Sequence, residues 1–221
     1  MKPFPPTGVL ELQALQLIGL TVALSASGAL SPGPLSAAAV VNGARQSWRA
    51  GVKMAAGHMT FELPFVVAIG LAAYELRWAL SLSIVRYALG GVLGAFIVYF
   101  SAATAIDGLR MLRGGDPEVK ASLASTPYVT GLALTALNPF FLLWWLTVGL
   151  VLVEAASTMG LVVGYSIMYP SHVWMDYAWL TLLSGLGYQG RRLPGRKYGL
   201  LLLALSTVML AAGAYALMAL A

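Results

Sequence analysis

Apolar runs long enough to cross a bilayer recur along the whole chain, and they constrain its fold more than any motif does. A membrane-spanning helix needs about 20 consecutive, mostly apolar residues. Six such runs fall roughly at 13–42, 51–74, 80–106, 126–153, 158–184 and 197–220 of the 221 residues. Lipid offers no partner for backbone N–H and C=O groups, so runs of this length fold as helices. The expected fold is an all-α integral membrane protein with six transmembrane helices.

Composition agrees. The chain is 59% hydrophobic and 10% charged, against about 25% charged in soluble domains. Residues 1–221 are expected to form a single membrane transport domain, with no room for a separate soluble module. There is no cysteine, which removes thiolate metal ligands and any thiol–disulfide relay, and with them an electron-carrying membrane oxidoreductase. No cofactor is expected.

The net charge of +5 does not point to nucleic acid, because the basic residues sort by loop. One side collects Arg45, Arg49, Lys53, Arg110, Arg113, Lys120, Arg191, Arg192, Arg196 and Lys197. The other has Lys2, Arg77 and Arg86. The positive-inside rule then puts both termini outside a multi-pass protein of the plasma membrane. The run Arg191–Lys197 reads as a topology signal, and Glu75 and Glu154 as solvated helix ends. Lys2 and the small residues Ala26-Ser27-Gly28-Ala29 loosely resemble a signal peptide. Pro3, Pro5 and Pro6 before the run, and its continuation past the small residues, tell against one.

The polar stretch from Asp107 to Thr126 divides the chain into halves of three spans, about 13–106 and 126–220, joined by a cytoplasmic loop at about 107–125. Three is odd, so the second half enters from the opposite side, as in an inverted 3+3 repeat. The first span is interrupted at Ser31-Pro32-Gly33-Pro34 and the fourth at Asn138-Pro139. Proline removes a helical hydrogen bond, and irregular backbone at membrane depth survives only when buried in protein or lining a cavity. Interrupted spans at matching positions of two halves point to a substrate site. Ser31, Pro32, Gly33, Pro34, Asn138 and Pro139 are therefore candidate substrate-binding residues.

Only two histidines are present, and each has a carboxylate four residues later on the helix after a break: His58 with Glu62, and His172 with Asp176. Positions i and i+4 share a helix face. Ionisable groups within lipid cost about 2.5–3.5 kcal/mol each, so their default reading is functional. If the two helices meet, the four residues converge.

The segments Ser31-Pro32-Gly33-Pro34, Asn42-Gly43-Ala44-Arg45, Trp48-Arg49-Ala50-Gly51 and Ala56-Gly57-His58, with Asn138-Pro139 later, resemble the LysE-type translocator family of small-solute exporters. The resemblance spans most of the chain and implies export of an amino acid or related small amine. Leu35 stands where commoner members carry Asn, and the His-acid pairs mark a divergent branch.

Two chemistries compete at the four residues. Carboxylates bind an ammonium group while the histidines carry protons, giving a proton-coupled secondary transporter. Alternatively, His58, Glu62, His172 and Asp176 ligate a divalent cation such as Zn, Mn or Ni for export. A third reading makes the pairs structural, in an accessory membrane protein. Met54, Met59, Met168 and Met175 read as packing. Tyr165, Tyr169, Tyr177, Trp174 and Trp179 are candidates to line a cavity, while Trp144, Trp145 and Trp179 read better as interfacial belts. Gly90, Gly91 and Gly94 read as helix packing, and that glycine-rich span leaves room for a homodimer. The expected partners are the lipid bilayer and a small-molecule or cationic substrate.

Overall fold

The computed structural model describes residues 7–31, 33–114, 126–190 and 195–220. Pro32, Lys2, Lys120, Arg191 and Arg192 lie outside the described residues, as do the prolines at positions 3, 5 and 6. Nine helices account for nearly all the described residues: α1 (Thr7–Ala29), α2 (Pro34–Arg45), α3 (Arg49–Leu71), α4 (Ala73–Ser81), α5 (Ser83–Leu112), α6 (Pro127–Ala136), α7 (Pro139–Ser157), α8 (Leu161–Gly190) and α9 (Gly195–Leu220). Among the described residues, four stretches are long and apolar enough to cross a membrane by themselves: Leu10–Ala29, Arg49–Leu71, Ser83–Leu112 and Pro139–Ser157.

Proline sets where helices restart. Pro34, Pro127 and Pro139 each stand at the start of a helix, where the missing N–H would have had no intrahelical acceptor anyway. The first and fourth apolar runs are therefore both broken, as expected. Their pieces are unequal, however. The first run divides into 23 and 12 residues, the second into 10 and 19, so the long piece leads in one half and trails in the other.

Two expectations about the third run are corrected. A separate short helix, α4, precedes it, and α5 continues through Asp107 to Leu112 before the chain turns at Gly114. Asp107 does not begin the loop because it pairs with Arg110 one turn on, at 3.7 Å, while Met111 is buried on the same helix. Gly91 also does not pack as expected. A Cβ added at Gly91 would meet nothing within 4 Å, whereas one at Gly108 would lie 2.9 Å from the Gly199 carbonyl. The close contact of α5 with α9 is thus built at Gly108 and Gly199.

α3 and α8 form the centre. α3 packs on α6 and α8, while α8 packs on α1, α2, α3 and α7. Gly57 and Gly131 allow α3 and α6 to touch backbone to backbone: a Cβ at Gly57 would sit 2.0 Å from Tyr128 O, and one at Gly131 2.0 Å from Met54 O. Close approach of this kind is how membrane helices associate without a hydrophobic drive. Two apolar clusters flank the midpoint of α3 and α8. One includes Val66, Ile69, Trp145, Leu152 and Met168; the other includes Val40, Met54, Ala55, Leu134, Leu180 and Leu183. Met54 and Met168 are fully buried, matching their reading as packing. All four ionisable residues of the His-acid pairs lie between these clusters. Glu154, expected to be solvated, instead pairs with Arg77 and ties the end of α7 to α4.

Candidate functional site

The helices α3 and α8 cross so that residue 58 meets 176 and residue 62 meets 172. His58 Nε2 lies 3.1 Å from Glu62 Oε1 and 3.8 Å from Asp176 Oδ1. His172 Nε2 lies 3.1 Å from Glu62 Oε1 and 3.4 Å from Asp176 Oδ2. The result is a closed ring in which histidine and carboxylate alternate, with every member buried. Each pair therefore finds its complement on the other half, and neither is an isolated intrahelical contact.

Each histidine is also anchored through its other nitrogen by a hydroxyl from the opposite half. His58 Nδ1 is 2.8 Å from Thr135 Oγ1 on α6, and His172 Nδ1 is 2.7 Å from Ser25 Oγ on α1. The first contact determines a proton position. Thr135 has one hydroxyl hydrogen, and it donates to the Gly131 carbonyl at 2.7 Å. Thr135 Oγ1 is then the acceptor for His58 Nδ1–H. A neutral His58 of that tautomer would aim a lone pair from Nε2 at Glu62 Oε1. The 3.1 Å contact is a hydrogen bond only with one further proton between them, on Nε2 or on the carboxyl. In this arrangement the His58–Glu62 contact has room for one proton between Nε2 and Oε1.

Glu62 is the hub. Its Oε1 faces both Nε2 atoms and accepts from Trp145 Nε1–H at 3.0 Å, while Oε2 accepts from Tyr169 O–H at 3.2 Å. A buried carboxylate survives when its oxygens are satisfied in this way. Asp176 differs: its Oδ2 is buried and has no hydrogen-bond partner among the described residues.

A cavity of about 90 Å³ opens onto the ring. Ser31, Gly33, Pro34, Asn138, His58, Glu62, His172 and Asp176 all contribute to its wall, so both breaks meet the ionisable residues at one place. Pro139 is not on the wall; it starts α7. Asn138 caps α7 by accepting from Phe140 N–H at 3.0 Å, whereas Gly33 gives α2 no side-chain cap. The first break is stitched instead by Ser36 Oγ–H donating to the Ser31 carbonyl at 3.1 Å. Much of the remaining wall is aromatic, with Phe96, Phe100, Phe140, Phe141, Trp144, Trp145 and Trp179.

The tryptophans expected at the interface are corrected here. Trp145 is fully buried against Glu62. Trp144 stacks on His172 with ring centroids 5.5 Å apart and donates to Ser27 Oγ at 3.1 Å. Trp179 donates to Ser36 Oγ at 3.1 Å. Each indole N–H has a protein acceptor inside the bundle, which a headgroup position would not provide. Trp174 is 52% exposed and is not on the cavity wall. Tyr169 reaches the ring through its hydroxyl, while Tyr165 and Tyr177 are not on the wall. Ser25 and Thr135 were not legible as site residues, since a small hydroxyl in an apolar run looks like packing. The adjacent pair Trp144-Trp145, one to two turns after Asn138-Pro139, was the signal that could have been read.

The donor set bears on metals. Among the described residues, one ligand atom each from His58, Glu62 and Asp176 lies within 4.8 Å of the others. His172 adjoins that group, with Nε2 3.1 Å from Glu62 Oε1 and 3.4 Å from Asp176 Oδ2.

No curated protein and no solved structure matches the chain. The model of the family described as LysE type translocator matches residues 26–219, from just before the first break to the end of α9. The matched stretch contains both breaks and both His-acid pairs, and so the chain belongs to the LysE-type translocator family of multi-pass membrane exporters of small solutes, which are transporters and not enzymes.

Proposed function

We propose that this protein is a proton-coupled secondary exporter of an amino acid or related small amine, with His58, Glu62, His172 and Asp176 as its coupling site. The observation that carries the reading is the alternating ring itself: two imidazoles and two carboxylates, buried together and open to one cavity. A buried ring with room for one proton exchanges it for a cation, because both neutralise the same carboxylates. Protons entering from outside and cargo leaving from inside then exclude one another, which is the requirement for coupled export.

The aromatic wall favours an organic cargo. Rings offer apolar contact and cation–π attraction to an amine, whereas a small divalent ion would be served by oxygen and nitrogen donors alone. The starts of α2 and α7 at the cavity offer backbone amides to a carboxylate on such a cargo. An inverted 3+3 repeat with six spans and both termini outside fits the exchange of anchors between halves, in which His58 uses Thr135 and His172 uses Ser25. Ser31, Gly33, Pro34 and Asn138 would shape the substrate pocket.

The test is efflux from proteoliposomes loaded with a panel of labelled amino acids and amines. Acidifying the side from which protons enter should accelerate release of at least one cargo. A protonophore, and the substitution Glu62→Gln, should each abolish that acceleration. Release indifferent to the pH gradient would overturn proton coupling. A second reading, divalent-metal export, draws on the proximity of His58, Glu62 and Asp176. It predicts release of Zn, Mn or Ni and no response to amines in the same assay.

A further inference from the structure

The two histidines differ in their aromatic neighbours. Trp144 stacks on His172, with centroids 5.5 Å apart and planes at 26°, within the range over which ring pairs attract. His58 meets only the edge of Phe141, at 5.3 Å and 80°, and Phe141 rests on Phe61 and Phe65 of α3.

The Trp144 indole is itself held from α1. Ser27 has one hydroxyl hydrogen, which it donates to the Leu24 carbonyl at 2.7 Å. Its oxygen is then the acceptor for Trp144 Nε1–H at 3.1 Å. Gly28 closes over the same side chain: a Cβ there would fall 2.7 Å from Trp144 Cε2 and 2.9 Å from Cδ2. Those carbons fuse the two indole rings and have ring bonds on every side within the plane, so the approach is over the face. Only a residue without a side chain lets α1 come that near. The Gly28 carbonyl also accepts Ser31 N–H at 3.1 Å, which joins this clamp to the first break.

α1 therefore grips one corner of the site twice. Ser25 meets His172 Nδ1 at 2.7 Å, while Ser27 and Gly28 fix the indole on which the imidazole lies. These contacts determine direction. The torsion that turns a histidine ring is broad, so its neighbours choose where Nε2 points, and here it points at Glu62 Oε1. A constellation of this kind keeps its geometry only when its supporting shell is locked by packing and hydrogen bonds.

We propose that Trp144 is a positioning residue through which the first break controls His172. The end of α1 sets the indole, the indole sets the imidazole plane, and a shift of α1 at the break turns Nε2 away from Glu62. His58 is held otherwise, by Thr135 on α6 and Phe141 on α7, so the two histidines answer to different parts of the fold. The proposal rests on the reading of the four residues as the transport site, but its first test needs no cargo.

The chain has two histidines, so nitrogen NMR of the full chain in detergent, with isotopically labelled histidine, shows two imidazoles. Ser25→Ala, which removes the partner of His172 Nδ1, assigns them. Imidazole nitrogens report hydrogen bonding, and Ser27→Ala and Gly28→Ala leave every aromatic ring in place, so a change in these variants reads geometry. In both, the His172 nitrogens should shift or split into two sets, several times more than those of His58. Trp144→Leu, which fills space without a ring to stack, should have a larger effect of the same kind. Trp144→Phe, which keeps a ring, should restore most of the unmodified signal. Ser27→Ala removes a single oxygen and guards against variants that fail to fold. In proteoliposomes Trp144→Leu should slow pH-driven efflux by about tenfold or more, the scale of a misplaced reacting group, and Trp144→Phe should recover most of the rate. His172 nitrogens unmoved in Ser27→Ala and Gly28→Ala, equal changes at both histidines, or a Trp144→Phe no better than Trp144→Leu would each overturn the proposal. His172 responding as expected in a protein without pH-driven efflux would remove the export reading and leave the role of Trp144 standing. Efflux with His172 indifferent to the clamp would do the reverse.

Discussion

Glu62 and Asp176 sit at the same place in the two halves of the chain, four residues after a histidine on the helix that follows a proline break. One has a hydrogen-bond donor on each oxygen and the other has an oxygen with none among the described residues. The breaks beside them differ in the same sense. Asn138 caps α7 with its own side chain, while the start of α2 at Gly33 carries no such cap. A repeated pattern supplies the geometry of a pseudo-symmetric site, but a site that takes up two different cations need not use its halves alike. Trp145 and Tyr169, both from the second half, donate to the first-half acid. The asymmetry lies in these neighbours, not in the ring residues themselves.

Removing each acid in turn should give the largest contrast. Glu62→Ala leaves four donors without their acceptor, and breaking a buried charged network costs about 3–5 kcal/mol. Asp176→Ala removes a side chain whose Oδ2 is unpartnered and should cost about 1 kcal/mol or less, the scale of a single polar contact between membrane helices. Chemical denaturation in detergent measures both. Equal losses would mean that the two acids carry the structure alike.

Glycines come next. Gly57→Ala places a Cβ 2.0 Å from the Tyr128 carbonyl and should cost about 1–3 kcal/mol by forcing α3 and α6 apart. Gly91→Ala enters open space and should be neutral or stabilising by up to about 1 kcal/mol through helix propensity. The same denaturation assay compares them, and a large loss at Gly91 would point to a contact outside the single chain.

The smallest contrast concerns the breaks. Asn138→Ala deletes the cap of α7 and should cost about 1 kcal/mol. Gly33→Ala should change stability by less than about 0.5 kcal/mol, because its backbone is extended, at φ −158° and ψ −175°, and nothing lies within 4 Å of the added Cβ. A Gly33→Ala variant that folds normally but transports poorly would identify that position as part of the cargo's wall.

Much of this was legible in the sequence. The i, i+4 spacing placed each histidine beside its acid, and Pro34 and Pro139 located the two breaks, because proline and helical periodicity act locally. What joined the two pairs was tertiary, and so were the hydroxyls. Nothing in the run around Ser25 or Thr135 separates them from any small residue that lets helices approach. Trp144 and Trp145 were misread for a related reason: an indole looks the same in sequence at a membrane interface or buried in a bundle, and only the partner of its N–H decides. α4 and the extension of α5 past Asp107 escaped because a polar residue within a helical stretch can be held by an i, i+3 partner, as Arg110 holds Asp107.

The central claim is that the two pairs work as one ring that exchanges a proton for a cation. It is tested most directly by following proton and cargo movement together in proteoliposomes, with an internal pH indicator and a labelled cargo taken from the efflux panel. In the unmodified protein, cargo release should move protons in the opposite direction. In Glu62→Gln, exchange of labelled for unlabelled cargo should persist while pH-driven net release and the accompanying proton movement disappear. Net release in Glu62→Gln that still follows the pH gradient would contradict the account.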